Sequence, residues 1–389
     1  MRKLIIYVLM NVLGFAVANA QQKDVPVFVS GTEGYKTFRI PGIIKAPNGD
    51  LLAFCEGRVN GINDFGNIQI VLKRSSDKGK SWGAIQIVAS NGSMQTGNVA
   101  PVVDMTDPLY PKGRIFLFYN TGNASESRVR QGLGVREVWY KTSVDNGLTW
   151  SAPVNITLQV HKPKQPQYNP AYNFSEDWRS YANTPGHAMQ FAEGKYKGRI
   201  YVAANHTAGA IKAHYADGRA FGYYTDDHGK TFKISDDVNM PGGNEVMAAE
   251  LSNNSLMLNI RNQLGNIKQR IIAVSHNGGQ KWDTVYFDPH LPDPICQGSI
   301  LNIGKYHGKN ILAVCNDADT VQRNNLTLRI SYDEGKSWKE NYLVAKQDPA
   351  VYKDGYTAYS DLVLVDKKDI GIFYETDDYA RIVFISFKW

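Results

Sequence analysis

Ser331-Tyr332-Asp333-Glu334-Gly335-Lys336-Ser337-Trp338 is one copy of an eight-residue phrase that the chain uses five times. The other copies begin at Ser75, Ser143, Thr225 and Ser275, in the frame Ser/Thr-x-Asp-x-Gly-x-Ser/Thr-Trp. The third and fourth are degenerate: Phe232 ends the third, and Asn277 replaces the aspartate of the fourth. A recurring phrase sets an architecture before any single residue does. Chemically each copy is a turn. The aspartate accepts from backbone N–H groups as in an Asx turn, the glycine takes a conformation that costs other residues more, and the aromatic ring goes into a neighbouring apolar layer. These residues punctuate folding and carry no chemistry.

Working outward, apolar runs precede the copies, Ile68–Leu72 before the first and Leu326–Ile330 before the fifth. Similar runs recur at 51–56, 115–119, 200–204, 255–260, 370–374 and 382–387, separated by turns such as Pro47-Asn48-Gly49-Asp50. Helical periodicity is nearly absent, so the chain reads as all-β. The intervals between copies, 68, 82, 50 and 56 residues, each hold one four-stranded blade with its loops. After the fifth copy come strand-like stretches near 359–387 but no sixth copy. A last blade that borrows its outer strand from Val25–Ser30 puts the chain break where a sixth copy would lie. The expectation is a six-bladed β-propeller closed by pairing of the N- and C-terminal strands, about 60 residues to a blade, with no sheet edge left open. A Pro-rich stretch, 161–178, reads as an extended loop whose Tyr168, Tyr172 and Trp178 either line a rim or pack beneath it.

Residues 1–20 carry Arg2 and Lys3, an apolar run and Ala18-Asn19-Ala20, the pattern of a cleaved secretory signal. The expectation is an exported protein, periplasmic or secreted, with a single domain over 21–389 and no membrane insertion. Losing Arg2 and Lys3 brings the net charge from +6 to +4, with the basic residues dispersed, so nucleic acid is not an expected partner. Three cysteines, Cys55, Cys296 and Cys315, argue against a disulfide framework and read as buried thiols, with a Cys296–Cys315 bridge the alternative. No Cys or His pair has zinc spacing. A monomer is expected.

Charge beside an apolar strand is costly without a purpose. Arg39 in Phe-Arg-Ile-Pro, Arg261 closing Leu-Met-Leu-Asn-Ile-Arg, and Arg323 before Asn-Asn-Leu-Thr-Leu-Arg fall at comparable places in three different blades. In a propeller such positions converge on the axis, and three guanidiniums there make a rigid receptor for a carboxylate.

With these arginines, the phrase, and the stretches Phe38-Arg39-Ile40-Pro41, Glu56-Gly57-Arg58 followed by Asp64, Gly97-Asn98-Val99-Ala100-Pro101, Thr184-Pro185-Gly186-His187, Asn244-Glu245, Tyr359-Ser360-Asp361-Leu362 and Tyr374-Glu375, the chain resembles the bacterial exo-α-sialidases (neuraminidases) and their Asp-box repeats from Phe38 onward. The resemblance implies a glycoside hydrolase that removes terminal α-linked sialic acid from glycoproteins, glycolipids or oligosaccharides by a retaining route. Tyr359 would be the nucleophile, Glu245 its base and Asp64 the acid/base. Arg39, Arg261, Arg323 and Arg58 would bind substrate, and Glu375 would brace Arg39. It implies no cofactor and no metal. It leaves open a trans-sialidase, a preference for a deaminated sialic acid, and a binding propeller without catalysis. Competing residues exist within the motifs. Glu250 rivals Glu245, but the sixteen-residue spacing to Arg261 favours Glu245. Asp50 and Asp77 rival Asp64, but both read as turn residues. Tyr352, Tyr356 and Tyr374 rival Tyr359, which only its Tyr-Ser-Asp-Leu setting selects.

Overall fold

The computed structural model describes residues 23–346 and 356–389; the signal-like segment 1–20, its expected cleavage point before Gln21, and Tyr352 lie outside the described residues. The strands form six small antiparallel sheets. We number the blades 1 (37–89), 2 (95–155), 3 (178–234), 4 (243–292), 5 (299–345) and 6 (357–388 with 25–29). The first strand of each blade packs against the first strands of its neighbours, so the blades ring a common axis. In blade 6, Val25–Val29 pairs antiparallel with Arg381–Lys388, Val25 opposite Phe384 and Val29 opposite Arg381. These two strands are not consecutive in the chain, so no turn exists there to carry a sixth phrase.

The repeated phrase supplies the turn between third and fourth strands and also joins the blades. In the fifth copy Ser331 Oγ donates to Asp333 Oδ1 at 2.8 Å and accepts from Gly335 N–H at 2.8 Å, while Asp333 accepts from Ser337 N–H at 2.8 Å. The degenerate copies keep this pattern. Asn277 Oδ1 accepts from Ser275 Oγ at 2.9 Å and from Lys281 N–H at 3.0 Å, so an amide oxygen does what the carboxylate does elsewhere. Each box glycine has positive φ and lies against the preceding blade: a Cβ on Gly79 would meet Phe384 of blade 6 at 2.1 Å, and one on Gly335 would meet Met257 of blade 4 at 2.8 Å. Glycine is required both for the turn and for that approach.

The core is six apolar layers, one between each neighbouring pair of blades. Phe28 of the N-terminal strand is fully buried and packs on Phe38 and Phe373, tying blades 6 and 1. Cys55, Cys296 and Cys315 are buried free thiols, and the Cys296–Cys315 bridge is not formed. In 161–178 two of the three aromatics are packed, with Trp178 stacked on the His206 ring at 3.6 Å and the Tyr172 hydroxyl bonded to Glu137 at 2.9 Å, while Tyr168 is exposed and none of the three lines the cavity described below. Among the described residues no helix is long and apolar enough to cross a membrane.

Candidate active site

Five of the six first strands slip register against their second strand near the same end. The slips fall between Arg39 and Gly42, Gly97 and Ala100, Trp178 and Tyr181, Gly243 and Val246, and Thr357 and Ser360. A bulge re-aims a side chain out of the alternating pattern. Here the bulges carry or adjoin Arg39, Asn98, Glu245 and Tyr359. Ile40 sits in one of them at φ +63, a costly conformation for a β-branched residue. Its N–H is thereby delivered to Glu375 Oε1 at 2.7 Å.

The bulges open on a cavity of about 280 Å³ at the axis. Arg39, Arg58, Asp64, Glu245, Arg261, Arg323 and Tyr359 all line it, so the structure brings these sequence-predicted residues together. Glu375, the remaining one, is fully buried just behind them. Its carboxylate takes Arg39 Nε at 2.7 Å, Ile40 N–H at 2.7 Å and Tyr359 N–H at 3.2 Å, so one anion fixes two bulges and an arginine. Burial alone would lower the Arg39 pKa, but Glu375 overrides it and holds the guanidinium firmly charged.

Tyr359 is the centre of the cluster. Its hydroxyl lies 2.6 Å from Glu245 Oε1 and 2.8 Å from Arg261 Nη1, and Arg261 Nη1 reaches Glu245 Oε2 at 2.6 Å. The Arg39 and Arg323 guanidinium carbons lie 5.4 and 5.7 Å from the Tyr359 ring centre. Burial, then the Glu245 carboxylate, pushes the phenol well above its ordinary range, against the pull of Arg261 and Arg323. It is therefore a neutral phenol with a carboxylate already in place to take its proton.

Arg58 is nearly completely buried and fully occupied: it bonds to Glu56 at 2.7 Å, to Asp64 at 2.8 Å and to the Ile62 carbonyl. It holds the loop that puts Asp64, with 78 % of its side chain exposed, at the cavity edge. The rivals have other work. Glu250 accepts from Ala192 and Glu193 N–H, Asp50 pairs with Arg74, and Asp77 closes the first Asp box. Among the described residues, Asp104, Asp107 and His228 lie close enough to share a metal ion, yet His228 Nδ1 already bonds to Asp104 at 2.8 Å and Arg114 to Asp107 at 2.6 Å.

Sequence reasoning missed several groups that line the cavity or hold its lining residues. The Tyr379 hydroxyl takes Arg323 Nη1 at 2.9 Å, and the Arg39 guanidinium lies 4.0 Å over its ring. Nothing in the turn Asp377-Asp378-Tyr379 signals this. Glu56 is 2 % exposed and accepts from Asn98 N–H at 3.0 Å. Burial pushes its pKa up, with Arg58 opposing. Its charge inside the apolar run 51–58 was a readable signal. Gln95, Glu126 and Arg136 of blade 2 also line the cavity.

The chain belongs to the BNR repeat-like domain family, whose model matches residues 49–372. Within that class of repeat proteins its relatives are sialidases. The sialidase of Micromonospora viridifaciens is 31 % identical over 386 residues, covering 93 % of this chain and 53 % of the relative. That of Bacteroides fragilis is 26 % identical over 383 residues, covering 92 % and 63 %. The chain thus spans between half and two thirds of the length of these relatives. Among solved structures, the Hadza microbial sialidase Hz136 superposes with a TM-score of 0.77 at 24 % identity, over 94 % of this chain and 68 % of that one. The intramolecular trans-sialidase of Ruminococcus gnavus superposes with a TM-score of 0.69 at 17 % identity, over 93 % and 96 %. Both structural likenesses concern the fold.

Proposed function

We propose that the chain is an exo-α-sialidase that hydrolyses terminal α-linked sialic acid from glycoconjugates with retention of configuration. The observation that carries the reading is the Tyr359 hydroxyl at 2.6 Å from Glu245, set among three arginines from blades 1, 4 and 5. Sialic acid bears a carboxylate on its anomeric carbon. Arg39, Arg261 and Arg323 receive that carboxylate, and Arg261 Nε, buried without a partner among the described residues, has a donor to give. A carboxylate nucleophile would meet the substrate's own charge at close range. A neutral phenol avoids that repulsion, and Glu245 takes its proton as the bond to the anomeric carbon forms. Asp64 at the cavity edge protonates the leaving oxygen, then activates the water that releases the sugar. Tyrosine-nucleophile sialidases depart from the two-carboxylate scheme of glycosidases. A cavity of about 280 Å³ suits one sugar, in keeping with removal of the terminal residue. The signal-like segment 1–20 supports export to the periplasm or beyond, where such glycans are met.

The test is proton NMR of the purified protein acting on a sialoside. Free α-sialic acid should appear first and mutarotate to β. Prior appearance of the β form would overturn retention, absence of any product would overturn the sialidase reading, and a bound or rearranged sugar would replace hydrolysis by transfer.

A further inference from the structure

The cavity has a second charged end, and it faces away from the arginines. Arg39 and Arg261 stand on blades 1 and 4, on opposite sides of a six-blade ring, and Arg323 on blade 5. A carboxylate held by all three lies on the line between blades 1 and 4, drawn toward blade 5. The pyranose then extends toward the opposite side, blade 2. In a sialic acid ring the carbon across from the anomeric carbon is C5, so the C5 substituent enters blade 2.

Blade 2 offers that arm charge and amide. Arg136, 4 % exposed, pairs through Nη2 with Glu126 at 3.3 Å, while its Nη1 is buried with no partner among the described residues. Gln95 Oε1 is likewise buried without a partner. The two atoms are neighbours: a Cβ on Gly122 would lie 2.3 Å from Arg136 Nη1 and 2.9 Å from Gln95 Oε1, so glycine there leaves room for both. An acetamido group offers a carbonyl and an N–H beside the ring but ends in a methyl, and a methyl set against Arg136 Nη1 or Gln95 Oε1 leaves those buried atoms unpaired. A hydroxyl both donates and accepts, so it can serve the guanidinium and either oxygen.

We infer that Arg136, Glu126 and Gln95 select a C5 arm that ends in a hydroxyl, either a C5 hydroxyl or a glycolylamide, over the acetamido arm. The inference rests on the sialidase reading of the same site. The discriminating power comes from buried polar groups left unpaired by the wrong arm.

The experiment compares kcat/KM for three 4-methylumbelliferyl α-sialosides that differ only at C5: acetamido, glycolylamido and hydroxyl. At least one hydroxylated substrate should exceed the acetamido one by about tenfold or more, and whichever leads identifies the arm. Arg136→Met should erase that ratio. Should Arg136→Met fail to fold, Glu126→Gln on the cavity rim reads the same ratio and should reduce it. An acetamido substrate that matches or beats both others, or a ratio untouched by the substitution that folds, would overturn the inference while leaving the sialidase reading intact. Turnover of none of the three would overturn both.

Discussion

At the scale of residues, the proposed chemistry depends on one phenol being neutral and close to a carboxylate. Tyr359 meets both conditions because burial and Glu245 oppose its ionisation while Glu245 waits at 2.6 Å. Tyr359→Phe keeps the ring and its place between Arg39 and Arg323, so the variant should melt as the parent does. Its kcat/KM for a fluorogenic sialoside should fall by about 1000-fold, with Glu245→Gln losing roughly 100-fold. The double variant should be no worse than Tyr359→Phe alone, since both groups act on one nucleophile. Additive losses would show that Glu245 serves something other than the phenol. On the proposed mechanism the residual rate would belong to the arginines and Asp64, which would still bind the substrate and assist its leaving group.

Elements carry the stability. An Asp box is a buried hydroxyl, an acceptor and a glycine holding a turn against the preceding blade. Ser331→Ala leaves the Gly335 N–H without its acceptor in a buried place, a cost of about 1–3 kcal/mol. Thermal denaturation should show a melting point lower by a few °C, and activity at 25 °C should stay within about twofold. A large activity loss in a protein that still melts normally would give the box a role beyond architecture. The end of the second strand of blade 5 holds the opposite kind of element, a destabilising one. Asp317 is fully buried; Oδ1 accepts from Thr357 Oγ1 at 2.6 Å, and Oδ2 has no partner among the described residues. Burial raises its pKa from 3.8 to about 7, against Thr357, Cys296 and Arg323. An unfolded chain loses this proton near pH 4 and the folded one only near 7, so stability drains away as pH rises through that window and the penalty stays constant above it. Asp317→Asn keeps the acceptor for Thr357 without the charge. The variant's advantage in melting temperature should open between pH 4 and 7 and then level off, worth up to about 4 kcal/mol. A gap independent of pH would mean that Asp317 is ordinary in the folded state.

For the whole molecule, closure of the ring depends on a five-residue strand. Deleting residues 23–30 removes Phe28 from the layer between blades 6 and 1 and bares the edge of Arg381–Lys388. Melting should drop sharply and light scattering should rise; an unchanged melting point would mean that the ring stands on its other contacts. That ring was legible because the repeated phrase is local: a turn needs only eight residues, and even the degenerate Asn277 copy keeps its hydrogen bonds. Arg39 and Tyr359 were legible for the same reason, each lying in a short motif. Tyr379, Gln95 and Arg136 were not. Their importance comes from loops of different blades arriving at one axis, which no window of sequence contains. Tyr168, Tyr172 and Trp178 show the converse. Their composition fitted a rim as well as a packed loop, and only the burial of Tyr172 and Trp178, with Tyr168 left exposed, separates the two.

Arg39 and Glu375 are 336 positions apart, yet they form one ion pair that also anchors Tyr359. During translation the ribosome therefore releases the first arginine long before its counterion or Tyr359 exists. A growing chain carries no working centre until its final strands have emerged and docked against the first blade. A premature stop codon anywhere before residue 375 should yield protein without this ion pair, however well the earlier blades stack. On the proposed function, turnover in a cell would count only molecules whose last blade is in place.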